Sequence, residues 1–479
     1  MAKNKKLKKK LLLAGKISVC LALSVLLFAY LYFEFKEMQL PSGKGLGSRL
    51  FIYLATLLPF IGLGIWTVIK FGKSKTTWVV LVLFVLSYLV RILFADFTSG
   101  DYNFYLSKWI NQYRSMPLKT CFIEQVGNYA PFYNYFLILF SRLPIYDLYL
   151  IKTLSFYFEV ATAIIIMKLI AKAKQTPANP IHVAITLLLL IPLLNGSQWG
   201  QCDTIYTFFA VAGIYFAVNR KSIWCFVMMG IGFAIKLQML FIYPVILLLL
   251  ICRNSKGEKY LSWKHIWFTP LAFIAVNLLP LFFGGSLFKV IQVFIDQIFV
   301  GNPTQALCAN CANIFLWLSK IDRSNILYPL LTFVSIGIVA LILIFIIIST
   351  YKMKKCSMEI IDVLFFAAFI PLLVVFFMPK MNDRYFYLAE IFMFIYMMVS
   401  NNDAKWLTCP AYISLEFGVL ITYMSYLINI KWIYWSANIF TCITVLLMII
   451  PFFLRNFCFI TPDDPDIQAT SDGKQNINS

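Results

Sequence analysis

Histidine is almost missing from this 479-residue chain, which has two, His182 and His265. A zinc site needs more ligands than these can add to the close cysteine pair Cys308-Ala-Asn-Cys311. Charge is scarce too, with 13% of residues charged against 61% hydrophobic. A water-soluble fold cannot bury that much apolar surface, so lipid must solvate most of it. The short alternating segments of a membrane β-barrel are missing. The 11 cysteines are dispersed and odd in number, which excludes a disulfide framework. No basic face with interleaved aromatic residues stands outside the apolar segments, so the net charge of +20 does not point to nucleic acid. Also missing are a glycine-rich phosphate loop, a nucleotide-binding fold and any soluble catalytic domain, which argues against a nucleotide-activated donor. Internal repeats are not evident.

What the chain does have is repeated apolar runs of about 20 residues, the signature of a polytopic helical membrane protein. A Lys-rich start (Lys3, Lys5, Lys6, Lys8, Lys9, Lys10) precedes an apolar run at 11–33. That run is too long for a signal-peptide core and lacks a small-x-small cleavage site, so it reads as a retained anchor. Further spans are predicted at 50–70, 78–95, 148–171, 181–194 and 204–218, a short pair within 222–252, and then 266–283, 326–350, 360–378, 385–400, 407–428 and 433–454. The expected fold is therefore all-α, with about 14 transmembrane helices. The segment 132–143 is too short to cross and is bracketed by Pro131 and Pro144, so it is expected to be an interfacial or re-entrant helix. Lys and Arg concentrate in alternate loops. This bias puts both termini and the polar tail 461–479 in the cytoplasm, and the long loop 96–147 outside the cell membrane.

Ionisable residues are costly inside spans, at about 2.5–3.5 kcal/mol each on insertion scales, so each needs a reason. Asp96, Asp101, Asp203, Lys236, Asp383 and Arg384 are all expected at the outer ends of spans, with Arg91 and Glu159 somewhat deeper. Asp101 follows Gly100 and precedes Tyr102. A carboxylate there suits general-base work on a sugar hydroxyl, a poor nucleophile until its proton is taken. The bland alternative is a solvated loop acid or a helix N-cap. Asp96 is a second base or a residue that orients the loop, or else a helix-end cap. Gln198-Trp199-Gly200-Gln201-Cys202-Asp203 has the composition of a carbohydrate pocket, or of an interface turn with a belt tryptophan. Lys236, followed by Leu237 and Gln238, suits a lipid phosphate or simply snorkels. Arg384 clamps a phosphate, or bridges to its neighbour Asp383. Cys308 and Cys311 are incidental small residues or a disulfide or redox pair. Gly301-Asn302-Pro303 and Asn310 with Asn313 line a pocket or cap helices.

One ordered set of residues runs through the chain: Ser99-Gly-Asp101-Tyr102 with Trp109, then Gly127-Asn128-Tyr129-Ala-Pro131, Trp199-Gly-Gln201-Cys-Asp203, Lys236-Leu-Gln238 and Asp383-Arg384-Tyr385-Phe386. This set resembles the bacterial relatives of PIG-V-type mannosyltransferases within the GT-C superfamily. The resemblance covers residues 78–399 or so. It implies an inverting transferase that takes its sugar from a polyprenyl-phosphate donor on the extracytoplasmic face. It further implies Asp101 as general base, Lys236 and Arg384 on the lipid phosphate, and no metal or other cofactor. Tyr102, Asn128, Tyr129, Gln198, Trp199, Gln201, Asp203 and Gln238 are the expected substrate contacts. Relatives often carry His-Glu before the Arg-Tyr pair, where this chain has Asn382-Asp383.

The expected organisation is a basic tail with two additional helices (1–77), a GT-C-like catalytic core (78–400), C-terminal transmembrane helices (401–460) and a cytoplasmic tail (461–479). The acceptor is a glycan, glycolipid or protein hydroxyl. A polytopic transporter or flippase is the competing class, expected to place its polar residues near the bilayer midplane on broken helices. A non-catalytic scaffold of a cell-envelope complex is the third.

Overall fold

The structure is a computed structural model that describes residues 45–457 apart from Lys73, 298–305, Asp322, 354–356 and Asp403. The expected anchor 11–33, the Gly301-Asn302-Pro303 motif and the tail 461–479 lie outside the described residues.

Among the described residues the chain is helical almost throughout. The first part holds α1 (Leu46–Phe71), α2 (Lys75–Leu93), α3 (Ser107–Ser115), α4 (Leu118–Ile123), α5 (Pro131–Phe140) and α6 (Asp147–Lys174). The middle holds α7 (Ile181–Thr186), α8 (Leu190–Leu193), α9 (Asp203–Val218), α10 (Ser222–Ile235) and α11 (Tyr243–Ile251). Then come α12 (Phe268–Val276), α13 (Leu279–Phe282), α14 (Leu287–Ile295), α15 (Leu327–Met353), α16 (Ile360–Phe377), α17 (Tyr387–Val399), α18 (Lys405–Leu427) and α19 (Ala437–Phe457). A two-residue parallel pairing joins β1 (Cys308–Ala309) to β2 (Met381–Asn382).

Among the described residues, seven helices are long and apolar enough to cross a membrane: Leu46–Phe71, Lys75–Leu93, Asp147–Lys174, Leu327–Lys352, Ile360–Phe377, Lys405–Leu427 and Tyr434–Asn456. Four shorter apolar helices accompany them: Pro131–Phe140, Asp203–Val218, Ser222–Ile235 and Leu237–Ile251. Two of the single spans expected from hydropathy are broken. The run 181–194 divides into α7 and α8, and the run 266–283 into α12 and α13. Pro192 lies in the first turn of α8 and Pro280 in the first turn of α13. Proline lacks the amide and clashes with the carbonyl four residues back, so in both runs a new helix starts just ahead of it. Hydropathy counts the apolar residues and does not register the break.

Helix α16 is the hub and is buried along most of its length, while α15 presents most of its apolar surface outward. α17 packs on α16, α18 on α19, and α6 on α1, α9 and α17. The short helices α9 and α10 form a close antiparallel pair, with α12 against α10. Polar residues mark the two ends of this bundle differently. At one end lie the first residues of α9 and the last of α10. The opposite end carries Lys174 and Lys405 as electrostatic neighbours, together with the Arg220–Glu258 ion pair.

Candidate active site

The loop after α2 is tied down before it reaches Asp101. Lys152, inside the apolar run of α6, donates to the carbonyls of Phe94 (2.6 Å), Ala95 (3.2 Å) and Phe97 (2.8 Å). These are the exposed acceptors a helix end leaves behind, and a cation there also suits the helix dipole. Ser99 then caps the next helical turn, accepting from the Tyr102 amide at 3.2 Å, and its own hydroxyl donates to the Trp199 carbonyl at 2.9 Å. The cap is therefore Ser99 and not Asp101, which leaves the Asp101 carboxylate for other partners.

Those partners come from three distant segments. Trp199 Nε1 (3.0 Å), Gln201 Nε2 (2.6 Å) and Arg384 Nη1 (3.2 Å) all donate to Asp101 Oδ2. The Tyr426 hydroxyl donates to Oδ1 at 2.8 Å. A carboxylate oxygen carries two lone pairs. Oδ1 accepts from Tyr426 alone among the described residues, so it keeps one acceptor position for a further hydroxyl.

The Trp199–Asp203 segment owes its path to the wide turn Leu194–Trp199, which closes on Gly200 in the left-handed region (φ 77°). Ser155 of α6 fixes it by donating to the Gln201 carbonyl at 2.6 Å. The Trp199 ring is stacked on Tyr426 (centroids 4.8 Å apart, 24° between planes), and the Arg384 guanidinium lies over it at 5.4 Å. Tyr129 reaches in from the long loop, its hydroxyl donating to Gln201 Oε1 at 3.2 Å. Gly127 makes that approach possible. Its φ is +75°, and a Cβ there would sit 2.4 Å from the Trp109 ring.

Both cations face this cluster. Lys236 is an extended residue between α10 and the tight turn Leu237–Ile242, and its ammonium pairs with Asp203. Arg384 stands in the turn Asp383–Phe386, anchored by the β1–β2 pairing next to it. Besides Asp101, its Nε lies 3.7 Å from Asp203, which also accepts from Asn195 at 3.2 Å. Arg384 thus bridges two remote carboxylates instead of closing a side-chain pair with Asp383. Asp383 accepts from the Arg384 amide at 3.0 Å, and burial pushes its carboxyl up to about 8 against the opposing pull of Arg384.

The remaining expected site residues are placed as follows. Asp96 accepts from the Tyr149 hydroxyl. Tyr102 turns inward and packs edge-on against Tyr146. Asn128 is exposed, its carbonyl accepting from Gln297 at 2.5 Å. Gln198 is fully buried, and Gln238 is half-buried with Oε1 unpartnered among the described residues. Asn313 caps the end of α16 through the Val375 and Met378 carbonyls, and Tyr434 donates to Asn310. Cys308 and Cys311 are free thiols. Cys308 donates to the Cys311 carbonyl at 3.2 Å, and burial pushes its thiol up to about 12.

Three contributors escape a sequence reading. Tyr426 and Asn195 look like ordinary helix and turn residues. Lys152 does give a signal, as a lysine within an apolar run. The deeper pair Arg91–Glu159 forms as its cost demands, at 2.5 Å with both side chains 4% exposed. Among the described residues no three His, Cys, Asp or Glu side chains gather to hold a metal ion. Compared with known proteins, the chain matches no protein-family model and no curated protein.

Proposed function

We propose that the protein is an inverting GT-C-type glycosyltransferase, mannosyltransferase-like, that moves a hexose from a polyprenyl-phosphate donor to an acceptor hydroxyl. The observation that carries this reading is the Asp101 carboxylate, held by four donors beside two cations and keeping one lone pair of Oδ1. The acceptor oxygen attacks C1 of the donor sugar while Asp101 takes its proton. The bond from C1 to the phosphate oxygen breaks, and polyprenyl phosphate leaves with the electron pair. Protonating Asp101 removes the charge that Arg384 faces, so the guanidinium turns its attraction to the departing phosphate as charge grows there. Such a contact strengthens toward the transition state, which is what a catalytic contact requires. Half-buried Tyr426 offers a ring to the sugar, while Trp199 and Gln201 are buried and hold the carboxylate in place.

The distribution of basic residues supports an extracytoplasmic site. Lys174, Arg220 and Lys405 lie at the end of the bundle away from Asp101, the side the positive-inside rule assigns to the cytoplasm. In this reading both termini are cytoplasmic, and the short helices other than Pro131–Phe140 complete the spans.

A transporter or flippase is the second reading. It is favoured by Arg91–Glu159 and by the buried Glu390 and Glu416, ionisable residues inside the bundle of the kind that line substrate pathways. Proteoliposomes carrying a polyprenyl-phosphate sugar labelled in the hexose separate the two. A transferase moves label to an acceptor glycolipid and releases polyprenyl phosphate. A flippase moves intact donor between leaflets.

A further inference from the structure

Asp101 stands at the head of a continuous helix. The wide turn Tyr102–Leu106 runs without a break into α3, so residues 101–115 follow one axis. Tyr102, Leu106, Ile110 and Tyr113 form its buried row. The row beside it, one residue earlier at each step, is Asp101, Tyr105, Trp109 and Gln112. This second row leads away from the carboxylate, and from Asp101 to Trp109 it extends on the order of 10 Å.

The outer rings of this face are not spent on the core. Tyr105 is 53% exposed, and Phe104 next to it 66%. Tyr105 leans on half-buried Trp109 (centroids 5.9 Å apart), and Trp109 meets Tyr129 edge-on at 5.4 Å. Tyr129 in turn bonds Gln201, which donates to Asp101. Gly127 keeps the room that the Trp109 ring fills, since a Cβ there would clash with it. The rings thus make a shelf that begins in the open and ends beside the carboxylate.

The side chains around the shelf decide what it fits. Asn103, Lys108, Asn111 and Gln112 are exposed about the two outer rings. Hydrocarbon does not solvate such a set. The lipid-suited helix α15 exposes Leu330, Phe333, Leu341 and Ile344 instead. A sugar ring is two-sided in the same way as the shelf. Its C–H face lies flat on an aromatic ring, and the hydroxyls at its edge bond amides. Rings at Tyr105 and Trp109 suit successive units of one chain. From this continuity with Asp101 we infer that the row Tyr105–Trp109–Gln112 is a binding track for a saccharide chain. Delivery of the chain's terminal hydroxyl to Asp101 Oδ1 rests on the transferase reading and makes the acceptor a glycan or glycolipid, not a protein. The binding of saccharide does not rest on it.

The test uses the full chain in lipid nanodiscs without donor. Saturation-transfer NMR is run with linear trisaccharides of mannose, glucose, galactose and N-acetylglucosamine, and with the matching methyl glycosides. Tyr105→Ala removes an exposed ring and Lys108→Ala an exposed charge, and neither belongs to the buried row. The expected result is a trisaccharide that binds more tightly than its methyl glycoside and is weakened about threefold to tenfold by Tyr105→Ala, the worth of one aromatic contact. Lys108→Ala should weaken it by less than about twofold. Three results overturn the inference. One is that no trisaccharide binds more tightly than its methyl glycoside. Another is unchanged binding in Tyr105→Ala, as for a ring that only anchors in the membrane interface. The third is an equal loss in both variants, which makes charge and not stacking the contact. A chain that binds trisaccharide in the expected manner yet transfers no sugar from a polyprenyl-phosphate hexose overturns the transferase reading and leaves the track standing.

Discussion

Replacing Asp101 by Asn tests the chemistry at its centre. Three donors meet on Oδ2, so the amide oxygen takes that place and the amide nitrogen faces Tyr426, whose hydroxyl accepts as readily as it donates. The lost ion pair with Arg384 is mostly buried, with side chains 13% and 19% exposed, but Arg384 keeps Asp203 at 3.7 Å and the amide keeps the hydrogen bonds. The stability loss is therefore expected to be about 1.5–3 kcal/mol. The rate effect is much larger, because an amide takes no proton. Removing a positioned general base costs about 10²–10⁴-fold, or about 3–5 kcal/mol of barrier. The assay is hexose transfer from a labelled polyprenyl-phosphate donor in proteoliposomes, with thermal unfolding measured alongside. Tyr426→Phe supplies the scale, since losing one hydrogen bond to a charged group costs about 1.5–3 kcal/mol and leaves the base in place. Turnover of Asp101→Asn within tenfold of the unaltered chain, at equal expression, refutes the reasoning. So does a larger loss in Tyr426→Phe than in Asp101→Asn.

Lys236→Ala takes the nearest cation from Asp203, whose side chain is fully buried, and leaves it Asn195 and the more distant Arg384. Taking one partner from a buried pair costs about 3–5 kcal/mol, so the unfolding temperature falls and the donor KM rises. Adding Asp203→Asn should recover much of the stability, and a double-mutant cycle showing additive losses contradicts this pairing. Gly127→Ala meets a positive φ and the Trp109 ring together, so it should displace Tyr129 and cut turnover about tenfold or more. Unchanged kinetics refute that account of the loop. Asp383 is held protonated to about pH 8 in the fold but ionises near its ordinary 3.8 when unfolded. Its contribution to stability is complete below about pH 4 and is lost as the pH rises through about 8. Unfolding measured against pH should therefore slope downward over that window more steeply in the unaltered chain than in Asp383→Asn. Equal slopes contradict it.

The sequence showed which residues needed partners more clearly than which partners they would find. Lys236, Asp203 and Arg384 stood out because an ion among apolar residues is costly. That Lys236 takes Asp203, 33 residues away, and that Arg384 spans Asp101, 283 residues away, and Asp203 and not Asp383, depends on how distant loops meet. Tyr426 left no trace, because tyrosine is common in apolar helices and its role is set wholly by what lies across from it. The short extent of 132–143 was readable from length and prolines, and α5 is indeed a short helix, Pro131–Phe140. The divisions at Pro192 and Pro280 were not read, because the flanking apolar residues satisfied the length criterion for a span. Ser99 shows the same limit on a smaller scale: both it and Asp101 are acceptable caps, and the contact with the Trp199 carbonyl decides between them.

The most direct test of the central claim follows the donor itself. Purified protein in proteoliposomes is given a polyprenyl-phosphate mannose labelled in the sugar, with a mixed glycolipid acceptor, and the lipid products are resolved over time. The account predicts release of polyprenyl phosphate in step with label appearing on the acceptor with inverted anomeric configuration. Donor that stays intact while crossing between leaflets, or label on the acceptor with retained configuration, contradicts it.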